Sequence, residues 1–159
     1  MGGKNEALAK RFEVKVQEAM ATLEKLTDGD WKKVTDVEKW PVGVTAHHFA
    51  GVPEQISKMV EALVAGQSLD FTSDMIDKRN AKHAKDYVNC TKAETIELLK
   101  KGAAIALAVI RGLSDDQLAK SGIVFSDAPP MTAEQLITGG LLNHIDAHFG
   151  SIRKTVRNS

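Results

Sequence analysis

The sequence predicts an all-α fold, an up-down four-helix bundle with a long crossover between its second and third helices. Three observations carry this. Four long segments place apolar residues at the 3.6-residue period of an amphipathic helix. Boundary signals, a Thr or Ser followed three residues later by Glu or Gln, stand at Thr91, Ser114 and Thr132. Strand signals are scarce, and "GIVFS" at 122–126 is the one credible extended run.

The first helix is expected from Asn5 to Leu26, with Leu8, Phe12, Val16, Ala19, Leu23 and Leu26 on one stripe, and "TDGDW" breaks it. The second begins after Trp40-Pro41, runs to Ala65 and closes at Gly66. Thr91 and Glu94 form a capping box that opens the third, which continues to Arg111 before Gly112. Its stripe is Thr95, Ile96, Leu99, Ala103, Ala106, Ile110 and Leu113. A short helix capped by Ser114, with Gln117 three residues on, should follow. Pro129-Pro130 then stop the chain, Thr132 and Gln135 cap a fourth helix, and Met131 is placed to staple onto Leu136. That helix should reach Val156. The stretch from Gln67 to Cys90 is too long for a tight turn; a short helix over Asp74–Lys85 would let the chain cross over. Helices of roughly 20–25 residues are about 30–37 Å long at 1.5 Å per residue, the scale of a bundle.

At 159 residues the chain reads as a single domain, 1–159, large enough to build its own core without a disulfide or metal. The one cysteine, Cys90, forms no internal disulfide and fits a reducing compartment. The N-terminus alternates charge with small apolar residues, unlike a signal peptide. The longest apolar run, "GAAIALAVI" at 102–110, is too short to span a membrane. Lys plus Arg and Asp plus Glu are 21 each, so no basic excess points to nucleic acid. The basic "SIRKTVRNS" complements the dipole of a last helical turn. The expectation is a cytoplasmic protein that binds neither nucleic acid nor membrane.

The histidines carry the chemistry. With each residue turning a helix by about 100°, His148 lies about 40° from His144, and Ile137 and Ser151 about 20° from it. Both rings therefore belong to the inward stripe of "LLNHIDAHFG", whereas Asp146 points about 160° away. On the second helix Val44 and Val52 flank His48 at about 40° and Met59 lies about 20° off, so His48 also faces inward. His47 falls about 100° off, toward water or the bundle's flank. His83, among Lys82, Lys85 and Asp86, reads as a solvated surface residue. Three inward imidazoles from two helices suit zinc, nickel or iron and leave coordination positions open. The plainer alternative is three hydrogen-bonded core histidines, but each buried ring needs partners for two nitrogens and no inward carboxylate is evident. Ile145 stands where a zincin's glutamate would be, which removes that mechanism. Cys90 reads as packing, Trp31 and Trp40 as covers for the bundle's end. Gly139-Gly140 mark either close helix packing or room for a ligand.

The order of these features resembles the DinB-like (DNA-damage-inducible) superfamily. Trp40 precedes His48 by eight residues, "LLNHIDAHFGSIR" is similar to that family's last-helix HxxxHxxxI segment, and "LTDGDW", "MIDKRNAKH" and "LSDDQL" fall in the corresponding places. The resemblance covers nearly the whole chain. It implies a four-helix bundle with a three-histidine divalent-metal site at His48, His144 and His148, and relatives such as bacillithiol or mycothiol S-transferases and the metal-binding domain of maleylpyruvate isomerase. Pro41 departs from the family's Ser or Thr after the tryptophan; a shifted helix start would make His47 the ligand in place of His48. The expected function is a metal-dependent thiol S-transferase or hydrolase acting on a small molecule, with a low-molecular-weight thiol as co-substrate. Against it stand a non-catalytic metal-binding protein and a purely structural or partner-binding bundle. Apolar residues outside the inward stripes, Leu98, Val109, Leu142 and Phe149, point to a homodimer.

Overall fold

The computed structural model describes residues 3–157. Several helices open where side chains satisfy their orphan amides. Thr91 accepts from the Glu94 amide while the Glu94 side chain accepts from the Thr91 amide, and the same reciprocal pair forms at Ser114/Gln117 and Thr132/Gln135. A further box, Thr27 with Asp30, builds a short helix inside "TDGDW", where the sequence shows only a break. The order is α1 (Lys4–Lys25), α2 (Asp28–Lys32), α3 (Val42–Val64), α4 (Ser73–Asp86), α5 (Lys92–Arg111), α6 (Asp115–Leu118), α7 (Ala133–Ile137) and α8 (His144–Arg157). The expected strand over 122–126 does not form: only Ser121–Gly122 pairs, with Met131–Thr132, and Phe125 makes an isolated bridge to Phe71. Val124 is instead drawn into the core. No helix among the described residues is long and apolar enough to cross a membrane.

Contacts at the helix ends fix their directions. Asn5 donates to the Arg111 carbonyl and Lys92 donates to those of Glu24 and Leu26, so α1 and α5 are antiparallel. The Cys90 thiol, just before α5, donates to the carbonyl of Gly43 in the first turn of α3. The crossover carrying α4 therefore returns the chain to the end where α3 began, and α3 and α5 run parallel. His48 meets His144 and Ile56 meets Gly140, so the last helix lies antiparallel to α3. The long helices run up, down, down, up, around a core that includes Phe12, Leu23, Phe49, Leu63, Leu99, Ile110, Ile137, Leu142 and Ile152.

The fourth long helix is not uniform. Between α7 and α8 lies a π-helical turn, Thr138–Asn143. Its wider turn is visible in the burial: Leu136 with Leu141, and Ile137 with Leu142, are buried at a spacing of five. A Cβ on Gly140 would lie 2.7 Å from Ile56 Cδ1, so the Ile56 side chain packs directly over this glycine; at Gly139 a Cβ would meet nothing within 4 Å.

Leu142 and Phe149, which the sequence places on an outer face, are buried in the core at 0% and 8% exposure. The buried stripe of α8, through Ile145, Phe149 and Ile152, is centred about 100° from His144 rather than on it. Half of the apolar basis for a homodimer is thus internal, and Leu98 and Val109 remain half-buried.

Candidate metal centre

The offset of the stripe places His144 and His148 at the edge of the core, half-buried and facing α3. His48 reaches them from the second turn of α3, itself buried at 9% exposure. Ring centroids are 4.9 Å apart for His48–His144, 4.9 Å for His48–His148 and 4.4 Å for His144–His148. His48 Nε2 and His144 Nε2 approach to 3.1 Å, and one ligating nitrogen from each of the three residues lies within 4.8 Å of the others. A tetrahedral ion with bonds of about 2.0–2.1 Å needs nitrogens about 3.3 Å apart, which small ring rotations supply. The donor set fits a divalent metal. Burial, then the neighbouring His144 and His148, pushes the His48 pKa down to about 3; burial, then His148, pushes His144 down to about 4, against the pull of Glu38. Both rings are held neutral, the form that ligates.

The carboxylate that the sequence does not reveal is Glu38. It comes from the loop between α2 and α3, which is pinned by a bridge between Val34 and Pro41, by Thr35 N–H donating to the Trp40 carbonyl at 2.8 Å, and by Lys39 at φ +63°. This turn brings Glu38 against the middle of α8. One carboxylate oxygen accepts from His148 Nδ1 at 2.6 Å, the other from Ser151 Oγ at 2.7 Å, and the side chain is 6% exposed. Burial pushes the Glu38 carboxyl up, but the hydrogen bonds from Ser151, His148 and Thr35 outweigh it and hold its pKa below the usual value. With Nδ1 donating to Glu38, His148 presents Nε2 to the cluster, the arrangement that orients metal-binding histidines. Trp40, next to this loop, sets its indole edge-on to His48 at 5.4 Å, so it lines the site as well as closing the bundle.

His47 and His83 correct the sequence reading. His47 does lie on the flank of α3, but α4 covers that flank, so His47 is buried at 8% exposure. Its Nδ1 hydrogen-bonds His83 Nε2 at 2.8 Å and its ring stacks on Tyr87 with centroids 4.1 Å apart. His83 is accordingly half-buried rather than solvated, its Nδ1 is buried without a hydrogen-bond partner among the described residues, and burial, then His47, pushes its pKa down to about 4. A helical wheel gives direction within one helix and is silent about what a crossover lays over it. Pro41 serves as the N-cap of α3, the helix starts at Val42, and the clustered nitrogens are those of His48, not His47. Cys90 is buried packing: its thiol donates to Gly43, its carbonyl accepts from Trp31 Nε1 at 2.9 Å, and burial raises its pKa.

Two chambers meet at His48. One, of about 350 Å³, is walled by Trp40, Val52, Ile56, Met59, Phe71, Ile76 and Phe125, with the three imidazoles at its base. The other, of about 450 Å³, is polar and is lined by His47, Glu54, Lys58, Lys82, His83, Asp86 and Tyr87. Gln55, Arg79 and Asn80 border both.

A four-helix bundle whose second and last long helices converge three imidazoles on one point defines a class of helical histidine-cluster proteins. The same fold occurs in the crystal structure of mycothiol-dependent maleylpyruvate isomerase, with a TM-score of 0.73 at 10% identity over 94% of this chain and 61% of that one. A histidine-to-alanine variant of that isomerase matches with a TM-score of 0.74 at 8% identity, over the same 94% and 61%. The chain thus spans 61% of the length of these neighbours, and at such identities the likeness is one of fold. No family model and no curated protein matches the sequence.

Proposed function

We propose that this protein is a DinB-like metal-dependent enzyme that transfers a thiol to a small electrophile, with His48, His144 and His148 as the ligands of a divalent ion. The convergence of three imidazoles on one point beside a ligand-sized chamber is the observation that carries it. The ion, when bound, lowers the pKa of a thiol or water so that a nucleophile exists at neutral pH, and an all-imidazole set leaves its charge free to favour an anionic partner. Glu38 fixes the His148 tautomer and aims Nε2 at the centre. Trp40 and the apolar wall exclude bulk water from the reacting groups, which strengthens every charge interaction there. The polar chamber on the other side of His48 offers charges of both signs to a polar thiol co-substrate. Fold likeness to an enzyme described as mycothiol-dependent supports a thiol as that co-substrate. The same donor set also suits hydrolysis by activated water.

The test is turnover by protein loaded with zinc, nickel or iron, using several low-molecular-weight thiols with a chromogenic haloarene, and ester and amide probes for hydrolysis. The His144→Ala protein is the control. Rates equal to that control with every thiol and every probe would leave only the binding and structural readings.

A further inference from the structure

The apolar chamber has an uneven charge. Its walls come from α3 (Val52, Ile56, Met59), from the crossover (Phe71, Ile76) and from Phe125 in the loop before the last helix. Among the described residues no aspartate or glutamate lines it, and Arg79 is its one permanently charged residue. On the same helix Lys78 pairs with Asp74 at 2.9 Å and Lys82 pairs with Asp86, while Arg79 makes no ion pair among the described residues. The guanidinium therefore stands at the rim with its donors uncommitted, and Asn80 beside it adds an amide. A wholly apolar ligand would leave these donors unused, and a wholly polar one would be desolvated against Trp40, Phe71 and Phe125 without hydrogen bonds in return.

We propose that this chamber binds a small molecule with a flat apolar body and one carboxylate. The body lies against Trp40, Phe71 and Phe125, and the carboxylate is held at the rim by Arg79. A planar guanidinium presents two parallel N–H donors to a carboxylate, which fixes the ligand's orientation as well as its charge. The body then rests over the imidazole cluster and the anionic end points away from it. This assigns the substrate class for the proposed thiol transfer and rests on that reading only for what becomes of the ligand once bound.

The experiment reads binding without turnover. Quenching of Trp40 fluorescence is followed on adding 2-naphthoate or its neutral counterpart 2-naphthol, with zinc-free and with zinc-loaded protein. Both should bind, and Trp40→Phe should remove the signal. Arg79→Gln should weaken naphthoate about tenfold and change naphthol by less than about twofold, as for loss of one charge-assisted contact. Arg79→Lys should recover part of the loss. Val52→Phe, which fills the chamber one turn from His48, should abolish both while circular dichroism and zinc content stay unchanged. Equal weakening of both ligands by Arg79→Gln, or naphthoate bound only by zinc-loaded protein and indifferent to Arg79, would overturn the assignment. Failure of both ligands to bind would do the same. Naphthoate binding that depends on Arg79 in a protein without turnover would retain it and remove the catalytic reading instead.

Discussion

Glu38 and His148 meet at 2.6 Å across 110 residues of chain, joining a loop at one end of the bundle to its last helix. The contact makes the histidine cluster a property of the loop as much as of the helices. Glu38→Gln keeps the shape but removes the charge that favours a protonated Nδ1, and should lower zinc affinity about 10- to 100-fold. Glu38→Ala should cost more, because Ser151 also loses its acceptor. Competition with a chromogenic chelator measures both; affinity unchanged in Glu38→Gln would reduce the carboxylate to a structural contact.

The ligand assignment separates neighbouring histidines. His48→Ala, His144→Ala and His148→Ala should each lose the metal in elemental analysis, while His47→Ala, whose ring is committed to His83 and Tyr87, should keep it. Chelation should leave the helical circular dichroism intact, since the core around Phe12, Leu99 and Ile137 does not involve the cluster. Metal should raise stability only by mass action. A loss of helix on chelation would mark the site as structural.

Acid should weaken the metal-free fold. His48, His83 and His144 have folded-state pKa values of about 3, 4 and 4, below the ordinary 6.5, so the unfolded chain takes up protons first as pH falls. Their contribution is fully present above pH 6.5 and declines as pH falls, levelling off near pH 4 for His83 and His144 and near pH 3 for His48. Urea midpoints at a series of pH values should fall across that window. Midpoints that hold steady there would show that these rings are already protonated in the folded protein.

Two glycines should respond differently to a methyl group. A Cβ on Gly43 would lie 2.3 Å from the Trp31 indole nitrogen, which is itself bonded to Cys90. Gly43→Ala should therefore destabilise by about 1–3 kcal/mol through overpacking. Gly139→Ala meets nothing within 4 Å and should leave stability within about 1 kcal/mol of the parent. Denaturant unfolding compares them directly.

What the sequence makes legible is what local rules govern. The capping boxes at Thr91, Ser114 and Thr132 form as the spacing requires, and the helical period puts His144 and His148 on one face of their helix, where they meet His48. Long-range delivery is not legible: nothing near Glu38 in the chain announces His148, and nothing near His83 announces His47. The π-helical turn is not legible either, because a wheel assumes a constant period. A wheel centred on the histidines likewise puts Leu142 and Phe149 outside, whereas the rings sit at the edge of the buried stripe and these two residues within it.

The crossover helix α4 contributes no buried residue, yet it supplies a wall to each chamber through Ile76, Arg79 and His83. A segment tied down so lightly opens at a free energy well below that of global unfolding. Its amides should therefore exchange with solvent deuterium earlier than those of α3 or α5, independently of the protein's overall stability. An occupant bridging the two walls would slow that exchange in α4 alone. The helix that joins the two halves of the bundle would then also set how quickly a small molecule enters and leaves it.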